Sequence, residues 1–226
     1  MVRKGPRNCR FLLGCLIALL IAFPFLNDMS SLRPMLLVAP VVGVFVAGVV
    51  VVNAGRARVR AALILAFIQV ALILVATFIG ESVETQSIAV VMFLLVAILL
   101  ILFSTYCVLS YVLRAQSITS DQIYAGICMY LMLGFAFGAV YCLVNALSAS
   151  NFAVGGIPVA QGQRPDMMYF SFVTLATLGY GDITPTSNIA RSLAELEAVS
   201  GSLYIAVFMA RLVSMHSGER VSDSGE

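Results

Sequence analysis

The residues best placed to do chemistry in this chain lie between positions 164 and 182. Arg164-Pro165-Asp166 precedes Met167–Thr177, an apolar run long enough for a short helix and too short to cross a membrane. Proline suits a first helical position and an acid suits the positive end of a helix dipole, so the helix is expected to start there. Thr177-Leu178-Gly179-Tyr180-Gly181-Asp182 follows, with glycines at i and i+2. Non-helical backbone at membrane depth is tolerated only where it is buried in protein or lines a watery path. A short half-helix followed by a Gly-x-Gly turn is what a re-entrant loop of that kind requires. Side-chain catalysis has little to work with. His216 is the only histidine, and Cys9, Cys15, Cys107, Cys128 and Cys142 sit in or beside apolar runs without paired ligand spacing. Such cysteines read as small buried hydrophobes rather than disulfides or metal ligands. With no nucleophile–base pair, metal cluster or phosphate loop, an enzyme is not expected, and no cofactor is implied.

The elements that must hold this loop are membrane helices. Of 226 residues, 61% are hydrophobic and 11% charged, against about half and a quarter in soluble domains. A spanning helix needs about 20 mostly apolar residues. Six stretches qualify: Phe11–Leu26, Pro34–Val52, Ala61–Gly80, Ile88–Leu113, Gln122–Leu147 and Ile189–Val213. The first, preceded by Arg3, Lys4, Arg7 and Arg10, has the flanks of a signal peptide but no small-residue cleavage site. It is read as a helix. With the N-terminus inside, ten of the 13 basic residues fall on the inner side; Arg33, Arg164 and Arg191 fall outside. The positive-inside rule then places both termini in the cytoplasm. Thr119 and Gln122 have capping-box spacing, which predicts that the fifth span begins at Ser120. Its Gly134 and Gly138 permit close helix approach. The expected architecture is an all-α membrane protein with six transmembrane helices and a re-entrant helix and loop between the fifth and sixth. It divides into a four-helix region (1–121), a module carrying the loop (122–213) and a short cytoplasmic tail (214–226). The net charge of +2 implies no nucleic-acid surface.

Thr174-Leu175-Ala176-Thr177-Leu178-Gly179-Tyr180-Gly181-Asp182 resembles the signature of the potassium-channel pore-loop family, written T-x-x-T-V-G-Y-G-D. The resemblance to the family's outer helix, pore helix, filter and inner helix runs from Gln122 to about Val213. It implies that 177–182 form a selectivity filter. The carbonyls of Thr177, Leu178, Gly179 and Tyr180, with the Thr177 hydroxyl, would replace the water around potassium ions. Carbonyls can point inward in succession if alternate residues are left-handed, as Gly179 and Gly181 can be without Cβ strain. Tyr180 would brace the filter, and Asp182 would concentrate cations at the outer mouth. One chain supplies one filter strand of four, so a homotetramer in membrane lipid is implied. Leu178 stands where the family usually has valine and needs room behind the filter. The chain lacks tryptophan, and Tyr169, Phe170 and Phe172 are candidates for the aromatic cuff. Val173 stands where some relatives carry a carboxyl paired with the filter aspartate, so Asp182 needs another partner.

By the same resemblance, Gly201 matches the inner-helix hinge glycine, nineteen positions after Asp182; close packing is its other reading. Ser202, Ile205, Met209 and Val213 would face the cavity and an inner gate. Intramembrane carboxyls call for a functional reading. Glu195, one turn after Arg191, reads as a local ion pair. Glu197 reads either as a structural acceptor for pore-helix donors or as a protonatable group coupled to the filter. The six-span plan resembles small bacterial potassium channels without a voltage sensor, because Ile88–Leu113 carries no arginine or lysine. Arg56, Arg58 and Arg60 read as loop anchors. The expected function is potassium-selective conduction in a plasma membrane, with no small-molecule substrate. A weakly selective cation channel and a non-conducting scaffold are the alternatives.

Overall fold

The structure is a computed structural model, and it describes residues 9–27, 33–52, 54–78, 83–113, 119–159 and 166–223. Six long helices appear in chain order: α1 (Cys9–Asn27), α2 (Arg33–Val51), α3 (Arg56–Phe78), α4 (Val83–Leu113), α5 (Ser120–Leu147) and α7 (Asn188–Asp223). The short α6 (Met167–Leu175) lies between α5 and α7. Among the described residues, Arg56–Leu74, Ile88–Leu113, Ser120–Leu147 and Asn188–Arg211 are long and apolar enough to cross a membrane; Cys9–Pro24 and Val41–Val51 are shorter apolar helices. The protein is a predominantly helical membrane protein, with one small sheet among the described residues.

The helices pack through interlocking apolar side chains. Leu12 and Leu16 of α1, Phe45 of α2, Leu100 of α4 and Met132 and Phe135 of α5 are fully buried in one core. Phe45 meets Phe135 edge-to-face at 6.0 Å, and Phe135 meets Phe172 of α6 at 5.3 Å. The four-helix region is thereby packed through α5 onto the short helix, edge-to-face contacts of this kind adding to simple area burial. Polar ties reinforce it at the α5 N-terminus. Asp121 accepts from the Cys9 backbone N–H at 3.0 Å and from the Tyr111 hydroxyl at 3.1 Å.

Several boundaries differ from the sequence expectation. α5 does begin at Ser120, but the Thr119 side chain makes no capping bond; the Thr119 carbonyl accepts from the Gln122 N–H instead. α3 starts at Arg56, so Arg56, Arg58 and Arg60 occupy its first turns rather than a loop. α7 runs on to Asp223 instead of ending at Val213. Residues 214–223 contain no proline, and one glycine costs only about 1 kcal/mol, so an existing helix can propagate through them.

The piece between α5 and α6 holds a hairpin that the apolar pattern did not announce. β1 (Phe152–Val154) pairs antiparallel with β2 (Ile157–Pro158), and β1 also pairs antiparallel with β3 (Ile183–Pro185), giving the order β2-β1-β3. Gly155 and Gly156 form the turn with φ of 56° and 80°. A two-residue Gly-Gly turn between short apolar strands is a strong hairpin signal. β3 follows directly on residue 182, so the sheet anchors the far end of the 177–182 segment.

Candidate functional site

α6 is built to end abruptly and to aim its C-terminus. Asp166 is its N-cap, and the carboxylate accepts from the Tyr169 N–H at 3.0 Å. The acid thus caps the helix rather than filling its first turn, and Pro165 lies outside the described residues. Gly134 and Gly138 of α5 face Phe172 and Met168, where any β-carbon would collide. The glycine pair therefore serves the approach of α6 to α5.

Beyond α6 the chain folds back on the helix end. The N–H groups of Thr177 and Leu178 donate to Thr174 O and Val173 O at 2.9 Å each, and that of Gly179 to Val173 O at 3.4 Å. In a planar trans peptide the carbonyl points opposite its N–H. Those three bonds turn the carbonyls of Ala176, Thr177 and Leu178 away from α6. Among the described residues, the carbonyls of Thr177, Leu178, Gly179 and Tyr180 accept no hydrogen bond. Positive φ recurs at every second residue: 57° at Thr177, 55° at Gly179 and 78° at Gly181. The two glycines were expected to do this; Thr177 was not. A left-handed non-glycine residue costs about 1–3 kcal/mol, and such strain persists where surrounding bonds impose it.

The segment is exposed along its length from Ala176 to Asp182, including Tyr180 at 68% and Leu178 at 58%. It has no sheet partner until Asp182, whose carbonyl accepts from the Gly155 N–H at 2.8 Å. The Tyr169 hydroxyl lies within electrostatic reach of the Asp182 carboxylate. Tyr169 offers Asp182 a nearby hydroxyl where Val173 offers no polar group. The expected aromatic cuff divides: Phe170 packs on Tyr141 and Phe152, and Phe172 on Phe135, leaving Tyr169 at the segment. A cavity of about 190 Å³ beside Leu178, lined also by Leu20, Phe23, Pro24, Tyr169 and Val173, gives the larger side chain its room.

α7 closes the site from behind. Gly201 is buried, and a β-carbon there would lie 2.6 Å from the Leu175 carbonyl oxygen. The same oxygen accepts from the Tyr130 hydroxyl at 3.2 Å. Glu197 is fully buried and joins three elements: its Oε2 accepts from the Tyr141 hydroxyl of α5 at 2.7 Å, and its Oε1 contacts the Ser171 hydroxyl of α6. Glu195 is exposed, and Arg191 donates to the Pro185 carbonyl at 3.2 Å rather than pairing with it. The reason is geometric, since β3 ends directly before α7 and brings a carbonyl within reach. Ser202, Ile205 and Met209 lie on an exposed stripe of α7; the Val213 side chain lies outside the described residues.

The arrangement can offer a row of unbonded carbonyl oxygens to a cation, held by a short helix that the buried Glu197 braces from behind. Comparison with known proteins agrees with the class. Residues 126–217 match the family model described as ion channel. A protein of Rhodopseudomonas palustris provisionally named a potassium channel is 39% identical over 66 residues, 29% of this chain and 16% of that protein. The inward rectifier potassium channel Kirbac3.1 of Paramagnetospirillum magnetotacticum is 39% identical over 72 residues, 30% of this chain and 24% of that protein. The matched stretches thus span less than a quarter of either relative's length. No solved structure matches. The resemblance to the potassium-channel pore-loop family, read from the filter signature, is borne out by these matches. The chain carries an ion-channel domain in a multi-pass membrane protein, and the role that domain describes is not enzymatic.

Proposed function

We propose that four copies of this chain assemble into a potassium-selective channel with residues 177–182 as its filter. The observation that carries the reading is the alternation of left-handed backbone at Thr177, Gly179 and Gly181 beside carbonyls that accept no hydrogen bond. An ion gives up its hydration shell only where several oxygens replace it at similar cost. A single strand cannot surround an ion, and the exposure of Tyr180 and Leu178 in one chain leaves room for neighbouring copies. Thr177, Leu178, Gly179 and Tyr180 would ligate potassium, Gly181 would let the strand turn, and Asp182 would draw cations to the outer mouth. The potassium-channel names of the two relatives support this assignment.

In this reading all six long helices span the membrane and α6 is re-entrant. Residues 122–213 form the pore module and 1–121 a four-helix region without a charge-bearing sensor. Both termini face the cytoplasm, and a bacterial inner membrane is the setting. Gly201 would serve as hinge as well as packing contact, with Ser202, Ile205, Met209 and Val213 facing the cavity and gate. Reconstitution into bilayers under opposed potassium and sodium gradients tests the proposal. The reversal potential is expected to follow potassium. A value set equally by sodium would mean a weakly selective cation channel, and absence of current over a range of conditions would mean a non-conducting scaffold.

A further inference from the structure

Buried behind α6, three polar contacts run in series: Tyr141 hydroxyl to Glu197 Oε2 at 2.7 Å, Glu197 Oε1 to Ser171 Oγ, and Ser171 Oγ to the Gly134 carbonyl at 2.7 Å. Tyr141, Glu197 and Ser171 are each fully buried within one chain, so neither water nor a neighbouring copy is needed to complete the set. Each contact between two oxygens at these distances needs one proton. Tyrosine supplies one and serine supplies one, while a backbone carbonyl can only accept. Three contacts share two hydroxyl protons. The count is one short.

We infer that Glu197 is a neutral carboxylic acid whose own proton is donated to Ser171, making it a positioning residue that donates as well as accepts. The order is then unique. Tyr141 donates to Oε2, Oε1–H donates to Ser171 Oγ, and Ser171 donates to Gly134 O. With an ionised carboxylate, Ser171 would have to choose between Glu197 and Gly134. The other contact would become two acceptors facing each other.

The surroundings agree. From α5 the facing groups are Tyr141 and, farther along, Tyr130, whose hydroxyl is committed to Leu175 O. From α6 the facing group is Ser171. On α7 itself Glu195 is exposed and Arg191 is bonded to Pro185 O. Among the described residues no cation contacts Glu197, and an unpaired buried charge is costly in a membrane. The acid therefore ties the inner helix, the outer helix and the middle of α6 together without a charge.

The consequence for conduction rests on the channel reading above; the protonation does not. Infrared spectra of the full chain in lipid vesicles, compared in water and deuterium oxide, test the protonation directly. A carbonyl band of a protonated carboxyl group, shifted by deuteration, is expected in the wild type and absent from Glu197→Gln. Tyr141→Phe, which removes the donor to Oε2, should move that band to higher frequency. This second variant carries the test if Glu197→Gln does not fold. Identical spectra in all three would overturn the inference, as would a carboxylate band lost in Glu197→Gln. In potassium flux, glutamine can repeat both bonds through its oxygen and its amide N–H. Glu197→Gln is therefore expected within about threefold of wild type, and Glu197→Leu to lose about tenfold or more, since buried groups are left unpaired. Equal loss in both variants would mean that the donor role is wrong. A wild type with the protonated band and no flux would instead sink the channel reading and leave the proton assignment standing.

Discussion

Asp182 meets its surroundings in two different ways. Its carbonyl is tied to the hairpin turn through the Gly155 N–H, and its carboxylate faces the Tyr169 hydroxyl of α6. The first bond belongs to the backbone and survives any side-chain change. The second contact rests on one hydroxyl. Tyr169→Phe removes that hydroxyl while keeping the ring. If 177–182 is the filter, the external potassium concentration needed to sustain current should rise by about two- to tenfold in Tyr169→Phe. A titration of single-channel activity against external potassium checks this, and an unchanged midpoint would free Asp182 from Tyr169. The sequence made part of this site legible. Gly179 and Gly181 announced left-handed backbone because glycine alone takes it without strain. Thr177 announced nothing, since its positive φ comes from bonds to the end of α6 and not from its own preference. Tyr169 as neighbour of Asp182 was also hidden, because thirteen positions of chain separate them and only the fold-back brings them together.

The short helix α6 is gripped by its neighbours where side chains are smallest. Gly201 is the tightest of these places, with the Leu175 carbonyl occupying the volume a β-carbon would need. Gly201→Ala therefore forces α7 away from α6, and overpacking of this sort costs about 1–3 kcal/mol. If four copies assemble as proposed, the temperature of their thermal dissociation should fall accordingly. If the residue served only as a hinge, open probability would change while the dissociation temperature stayed put. A second test concerns the four-helix region. Gln69 of α3 is buried, and its Oε1 lacks a hydrogen-bond partner among the described residues. Replacing such a group by an apolar one of similar size relieves a desolvation cost of about 1–3 kcal/mol. Gln69→Leu should raise the melting temperature in detergent; a decrease would mean that the amide has a partner in the assembled protein. Helices of this kind were readable as apolar runs, because a membrane leaves the backbone few other options. Their ends were less readable. α4 begins at Val83 rather than Ile88 and α7 continues past Val213, since polar residues do not by themselves stop a helix. The hairpin escaped because its strands are two or three residues long, although Gly155-Gly156 carried the cue.

On the scale of the whole molecule, the question is what the first four helices can transmit to residues 122–213, the proposed pore module. They are joined to it by packing: Phe45 on Phe135 on Phe172, and the Arg211 guanidinium of α7 on the Leu113 carbonyl at the end of α4, at 3.1 Å. They are not supplied with charge to move. α4 contains no lysine or arginine, and the three arginines of α3 stand in its first turns, at the helix end. One elementary charge crossing the whole field contributes about 2.3 kcal/mol per 100 mV, which is roughly a fiftyfold change in an opening equilibrium. A sensor moving several charges per chain would multiply that effect across an assembly. With none in α4, open probability in symmetric potassium should change by less than about tenfold per 100 mV. If residues 122–213 form the proposed pore, the first four helices can act on it only through contacts, by shifting α4 or α1 against α5 and α6. Recordings across positive and negative potentials decide the matter. Steep activation with measurable gating charge would show that charges outside α4 cross the field, with the arginines of α3 the first to neutralise.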